Sequence, residues 1–326
     1  MIVLAYSSIG GFVAVAWSDL FQGLVMLAGL VLLPIAAWTF IPENESISSL
    51  LNAQDSNLTN IWGKGGFNMS NLFTILSFSL IGLGFLGSPQ IFVRFMAIKD
   101  ENEINKGRWV AIAFTIITDS AAVLTGILGR ALLTKSGVDA ESVLGNSCEG
   151  VLPILVETVM PSILIGIYIA AVLSAIMSTV DSALLAISST VTQDLFRKIK
   201  PHSSQKELLL FGKSISWVIM LVAVIMAINL PQTIWQLFQI KLELLCQIAP
   251  AIFLGVHIKS ISSKSILIGI YIGTFISLSI MIGNWIGFPI PIKPFGIHAG
   301  LWGLIFNCLA IFTIDRNKLR SSIKLA

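Results

Sequence analysis

The chain has 326 residues, 55% of them hydrophobic and only 11% charged, with a mean hydropathy of +0.89. That composition excludes an ordinary soluble domain and marks an integral membrane protein, and the small net charge of +3 implies no nucleic-acid partner. Cys148, Cys246 and Cys308 are odd in number and widely separated, which argues against a disulfide framework or a thiolate cluster, and His202, His257 and His298 have no metal-ligand spacing.

The first element is an apolar run at Ile2–Ala16. It is too short to cross about 30 Å of hydrocarbon, and it lacks the basic flank and cleavage site of a signal peptide. The first Lys or Arg is Lys64, so residues 1–16 read as the end of a helix whose beginning is absent, in an N-terminally truncated chain. Eight full spans follow: Leu20–Ile41, Asn71–Met96, Val110–Leu133, Ser162–Val191, Leu208–Leu230, Thr233–Val256, Ser265–Phe288 and Gly296–Ile314. Their backbone polar groups must be satisfied within each segment, and no ten-residue barrel alternation is present, so the fold class is all-α. Basic residues crowd one side of these spans, at Arg94–Arg108, Arg197–Lys206, Lys259–Lys264 and the C-terminal tail. The other side holds Lys64, Arg130, Lys135 and Lys293. The crowded side, with the C-terminus, is therefore expected in the cytoplasm of a multi-pass protein of the bacterial inner membrane.

Two stretches are unusual for membrane helices. In GLGFLGSPQ, Gly82–Gln90, glycines and a proline weaken the helix at membrane depth, which is tolerated only against protein or a water-filled cavity. A simple proline kink is the plain alternative. In SAIMSTVDSALL, Ser174–Leu185, the carbonyl of residue i points towards side chains i+3 and i+4. Ala175 C=O, Ser178 and Thr179 can thus converge on one small hard cation. Ser178, Asp181 and Ser182 form a second, charged cluster beside it. Hydroxyls bonded back to their own helix are the plain alternative, but a carboxylate in a span costs about 2.5–3.5 kcal/mol and requires a cation or a buried partner. A broken helix together with a cation-suited cluster favours an ion-coupled carrier over a channel or a membrane enzyme.

Three motifs carry a family resemblance: AYSSIGGFVAVAWSD (Ala5–Asp19), GLGFLGSPQIFVRFMA (Gly82–Ala97) and SAIMSTVDSALLAISSTVTQDLF (Ser174–Phe196). In this order they resemble the sodium:solute symporter family, most of all its sodium/proline symporters, from Ala5 to about Ile314. The resemblance implies a partial LeuT-type inverted-repeat fold. Residues 1–16 would end the fourth core helix, 17–41 form the fifth, 71–256 form the second five-helix repeat, and 265–314 add two C-terminal helices before a cytoplasmic tail at 315–326. It implies that Ala175, Ser178 and Thr179 form half of a sodium site. An Asp at the position of Asp19 joins hydroxyls at the positions of Ser178, Asp181 and Ser182 around a second sodium in some members. Here Asp181 supplies a carboxylate, so Asp19 and Asp181 are expected to flank a cation. Ile81, Phe85 and Pro89 match the Trp, aromatic and Pro of proline carriers along the broken helix, with Ile81 departing from the pattern. Asp119, Arg130, Lys241 and Glu243 also depart from it and read as structural ion pairs.

The expected function is sodium-coupled symport of proline or a related amino acid. No cofactor beyond Na+ as coupling ion is implied, and the partners are the solute, sodium, the lipid bilayer and a missing N-terminal part of the same carrier. A symporter for another small organic anion, and a non-transporting remnant or partner subunit, remain open.

Overall fold

The computed structural model describes residues 2–134, 138–145, 148–229, 233–285 and 294–316, with side chains from residue 13 onward except 284 and 285. The described chain is helical, in the order α1 (Ile2–Trp38), α2 (Ile47–Gln54), α3 (Met69–Ile81), α4 (Pro89–Met96), α5 (Glu101–Leu133), α6 (Ala140–Leu144) and α7 (Val151–Val159). It continues through α8 (Ser162–Thr190), α9 (Arg197–Ile199), α10 (Gln205–Asn229), α11 (Ile234–Leu245), α12 (Ala249–His257), α13 (Ser263–Trp285) and α14 (Ala299–Ile314).

Seven stretches of the described residues are long and apolar enough to cross a membrane: Val13–Trp38, Met69–Gly87, Glu101–Leu133, Ser162–Ile199, Gln205–Asn229, Ile234–His257 and Ser263–Gly283. The eighth expected span, Gly296–Ile314, is shorter than the sequence predicts. Phe295 and Gly296 adopt left-handed φ of 58° and 79°, which cannot continue a right-handed helix, and His298 is extended. Helix α14 therefore starts only at Ala299 and runs 16 residues, about 24 Å at 1.5 Å per residue. A second difference lies at the N-terminus, where the sequence predicts separate pieces at 1–16 and 17–41. Residues Ile2–Trp38 instead form one uninterrupted helix. No Gly or Pro lies between Phe12 and Gln22, and the Ser18 hydroxyl donates back to the Val15 carbonyl at 2.9 Å rather than capping a new helix.

The chain divides into two compact units. The first comprises Met1–Ser56 and Phe92–Pro231, in which α1 packs along α8 and α5. Gly29 permits the closest part of that crossing, since a Cβ there would lie 2.6 Å from the Ala171 Cβ. The core of this unit joins Leu33 and Ala37 of α1 to Leu128 of α5, Leu155, Val156 and Val159 of α7 and Tyr168 of α8.

The second unit comprises Asn57–Ile91 and Gln232–Ala326 and contains the extensive α13–α14 pairing. Gly273 and Gly303 let these two helices approach until backbone meets backbone. Asp315, just past α14, accepts from Ser262 N at 2.7 Å and from the Ser265 hydroxyl, so the end of one helix caps the start of the other. A short 3-10 turn at Cys246–Ile248 separates α11 from α12. The Gln247 carbonyl in this turn accepts from Asn307 Nδ2 at 2.8 Å, which satisfies a buried acceptor.

Candidate functional site

On α8 the helix geometry expected from the sequence is present. The Ser178 hydroxyl donates to the Ala175 carbonyl at 3.0 Å and the Thr179 hydroxyl to the same carbonyl at 3.1 Å. Three oxygens are thereby gathered around one point, Ser178 half-buried and Thr179 exposed at the helix surface. Such a set offers neutral oxygen ligands to a small hard cation, and it is equally the back-bonding that Ser and Thr make to their own helix. None of the three carries charge, so any ion held here would need further ligands from elsewhere.

One turn further on, Asp181 is fully buried and Ser182 nearly so. Across from them on α1, Asp19 Oδ2 accepts from Ser182 Oγ at 3.2 Å. The structure therefore joins Asp19 and Ser182. It also brings in a residue that the sequence marks only as a basic flank, because Arg94 Nη2 donates to Ser182 Oγ at 2.8 Å and forms an ion pair with Asp19 Oδ2. The other carboxylate oxygen, Asp19 Oδ1, is buried and bonded to no described residue. Among the described residues no group of three or more His, Cys, Asp or Glu could hold a metal ion.

In the second unit the helix break falls within GLGFLGSPQ. Gly82–Gly87 tighten into a 3-10 turn, Ser88 is extended at φ −74° and ψ 115°, and Pro89 begins α4. The residue before a proline is pushed out of the helical region, and proline itself suits a helix start, so Ser88-Pro89 fixes where the helix stops and restarts. The glycines serve packing. A Cβ on Gly84 would strike the Leu242 carbonyl oxygen, and one on Gly87 the Leu245 carbonyl oxygen, so the turn rests directly on the backbone of α11. Of the three positions expected to face solute, Phe85 is 46% exposed and Pro89 is also exposed, whereas Ile81 is 5% exposed and points into packing.

Phe85 is joined by aromatic residues that the sequence does not single out. Its ring centroid lies 6.1 Å from Phe238, which stacks with Trp235 of the same α11 face at 6.1 Å, and Trp235 lies 6.1 Å from Phe78. The signal was available as the i, i+3 pair in TIWQLFQ, Thr233–Gln239.

The remaining charges resolve differently from the expected ion pairs. Arg130 Nε donates to Gln54 Oε1 at 3.1 Å, an amide rather than an acid. Asp119 is exposed on α5 and makes no ion pair with a described residue. Lys241 and Glu243, two residues apart, point to different sides of α11, because neighbours on a helix face are three or four apart. Glu243 is paired instead with His298, Oε1 to Nδ1 at 3.1 Å, and its Oε2 accepts the Gly300 N–H at 3.1 Å at the start of α14.

Comparison with known proteins matches the model of the sodium:solute symporter family over residues 1–273. The osmoregulated proline transporter OpuE of Bacillus subtilis is 35% identical over 72% of this chain and 46% of its own length. The high-affinity proline transporter PutP of Bacillus subtilis is 34% identical over 69% of the chain and 46% of its own, and the sodium/proline symporter of Escherichia coli 32% over 69% and 44%. The chain thus spans about half the length of the curated relatives it matches. Among solved structures, that of a Na+-coupled sialic acid symporter in its substrate-bound outward-open state aligns with a TM-score of 0.67 at 20% identity. It covers 96% of this chain and 64% of the other, which shows a shared LeuT-like fold.

Proposed function

Because the chain belongs to the sodium:solute symporter family, we propose that it serves sodium-coupled symport of proline or a closely related amino acid, with Ala175, Ser178 and Thr179 as part of the sodium site. The observation that carries this reading is the shared Ala175 carbonyl, which holds two hydroxyl oxygens beside it on a membrane helix. Phe85 and Pro89, backed by Phe238, offer the solute an apolar aromatic wall suited to a flat ring. Sodium binding shapes that wall, and downhill sodium entry drives the solute inward. The site is expected in the cell membrane, with the C-terminus in the cytoplasm.

The test is uptake of radiolabelled proline into proteoliposomes under an inward sodium gradient, with potassium as control. Uptake that requires sodium is the expected result. Ser178→Ala and Thr179→Ala are each expected to raise the half-saturating sodium concentration by about tenfold, the loss of one ligand being worth about 1.4 kcal/mol. Sodium-independent flux, or unchanged sodium dependence in both variants, overturns the reading.

A further inference from the structure

We propose that His298 is a positioning residue for solute binding, which stands outside the aromatic wall and holds together the two elements that build it. The proposal rests on the symport reading above. Phe85 lies on the turn that follows α3, and Phe238 lies on α11. Each strip carries one further ring, Phe78 on α3 and Trp235 on α11. The rings meet in pairs across the strips, Phe85 with Phe238 and Phe78 with Trp235, both at 6.1 Å between centroids. Such a wall keeps its shape only while the two strips keep their spacing. His298, on the segment that leads into α14, touches both. Its Nδ1 lies 3.1 Å from Glu243 Oε1 on α11, and its ring packs edge-on against Phe78 on α3, at 4.4 Å between centroids and 63° between planes.

The imidazole is firmly mounted. His298 is extended, and its carbonyl accepts from Leu301 N at 3.0 Å as α14 begins. A Cβ on Gly300 would lie 2.6 Å from Glu243 Cα, so the start of α14 rests on α11 at the residue that the imidazole reaches. The same segment meets α3 a second time, where Thr74 Oγ1 donates to the Gly296 carbonyl at 3.2 Å, one turn before Phe78. Tying α14 to α11 needs only the Glu243 carboxylate, which already accepts the Gly300 N–H at 3.1 Å. The ring against Phe78 is surplus to that task. His298 Nε2 is buried and bonded to no described residue, so the side chain is held by one nitrogen and one ring contact, and each leads to one strip of the wall.

The test is the initial rate of sodium-driven proline uptake into proteoliposomes over a range of proline concentrations, per amount of chain reconstituted. His298→Asn keeps an N–H donor for Glu243 and removes the ring, and Phe78→Leu removes the other half of the same contact. Each is expected to raise KM by about two- to tenfold at an unchanged maximal rate, as the loss of one aromatic contact does. The double variant should do no more than the stronger single one, because both lose one shared interaction. A lower maximal rate with KM unchanged marks a merely structural role and overturns the proposal, as do effects that multiply in the double variant. Should His298→Asn not fold, Phe78→Leu decides, and an unchanged KM there overturns it. Should the wild type take up no proline, the symport reading fails by itself. His298 is then judged from the fluorescence of Trp235 in a chain whose other tryptophans are phenylalanine. A shifted emission in His298→Asn is expected, and an unshifted one overturns the proposal.

Discussion

A carboxylate buried in a membrane helix has to be answered within reach of its own oxygens, and Glu243 shows what answers it. One oxygen faces the His298 imidazole and the other accepts the Gly300 N–H, so an imidazole and the positive end of α14 share the charge. Both side chains are almost wholly buried, at 8% and 3% exposure, with Phe78 edge-on to the imidazole at 4.4 Å between ring centroids. Removing one partner strands the other, so Glu243→Ala is expected to destabilise the protein by about 3–5 kcal/mol. Glu243→Gln, which keeps an acceptor for Gly300, should cost less. Thermal unfolding in detergent of the two variants beside the wild type checks the order. The sequence displays Glu243 and His298 as residues 55 apart and offers Lys241 as the nearer partner. Helix geometry turns Lys241 away, and only the packing of α11 on α14 brings the histidine in.

The broken helix shows how an element is decided partly by local chemistry and partly by its neighbour. Its breaking point is legible in Ser88-Pro89, because the proline ring restricts the preceding residue whatever surrounds it. Which glycine matters is not legible, since Gly82 and Gly84 look alike in the sequence. A Cβ on Gly82 would meet nothing within 4 Å, whereas one on Gly84 would strike the α11 backbone, which cannot move aside as a side chain could. Gly84→Ala is therefore expected to cost about 1–3 kcal/mol, as overpacking does, and Gly82→Ala to stay within about 0.5 kcal/mol of the wild type. Unfolding midpoints of the two variants test this, and equal losses would show that chain stiffness rather than close packing governs the turn.

At the scale of the whole molecule the strongest expectation is orientation across the membrane. Basic residues crowd the loops that the sequence groups with the C-terminus, and from this bias those loops are expected in the cytoplasm. In a chain with Cys148, Cys246 and Cys308 replaced by alanine, Asn60→Cys is expected to react with a membrane-impermeant maleimide in intact cells. Asn102→Cys should react only after the membrane is opened. Both positions are exposed, so reactivity reports sidedness rather than burial, and the reverse pattern would invert the topology.

Composition, apolar run length and charge bias determined, without any structure, that the chain is a multi-pass helical membrane protein, because lipid imposes those constraints on each segment separately. Short-range rules likewise determined the helix break and the meeting of Ser178 and Thr179 at the Ala175 carbonyl, since one turn of helix fixes both. Only the tertiary structure decided that Arg94 occupies Asp19, that His298 answers Glu243, and that Ile81 packs inward while Phe85 is backed by Phe238. Each of these joins residues far apart in the chain or depends on which face of a helix meets another. An apolar membrane helix carries little periodicity to announce that face, so helix packing alone selects the partners.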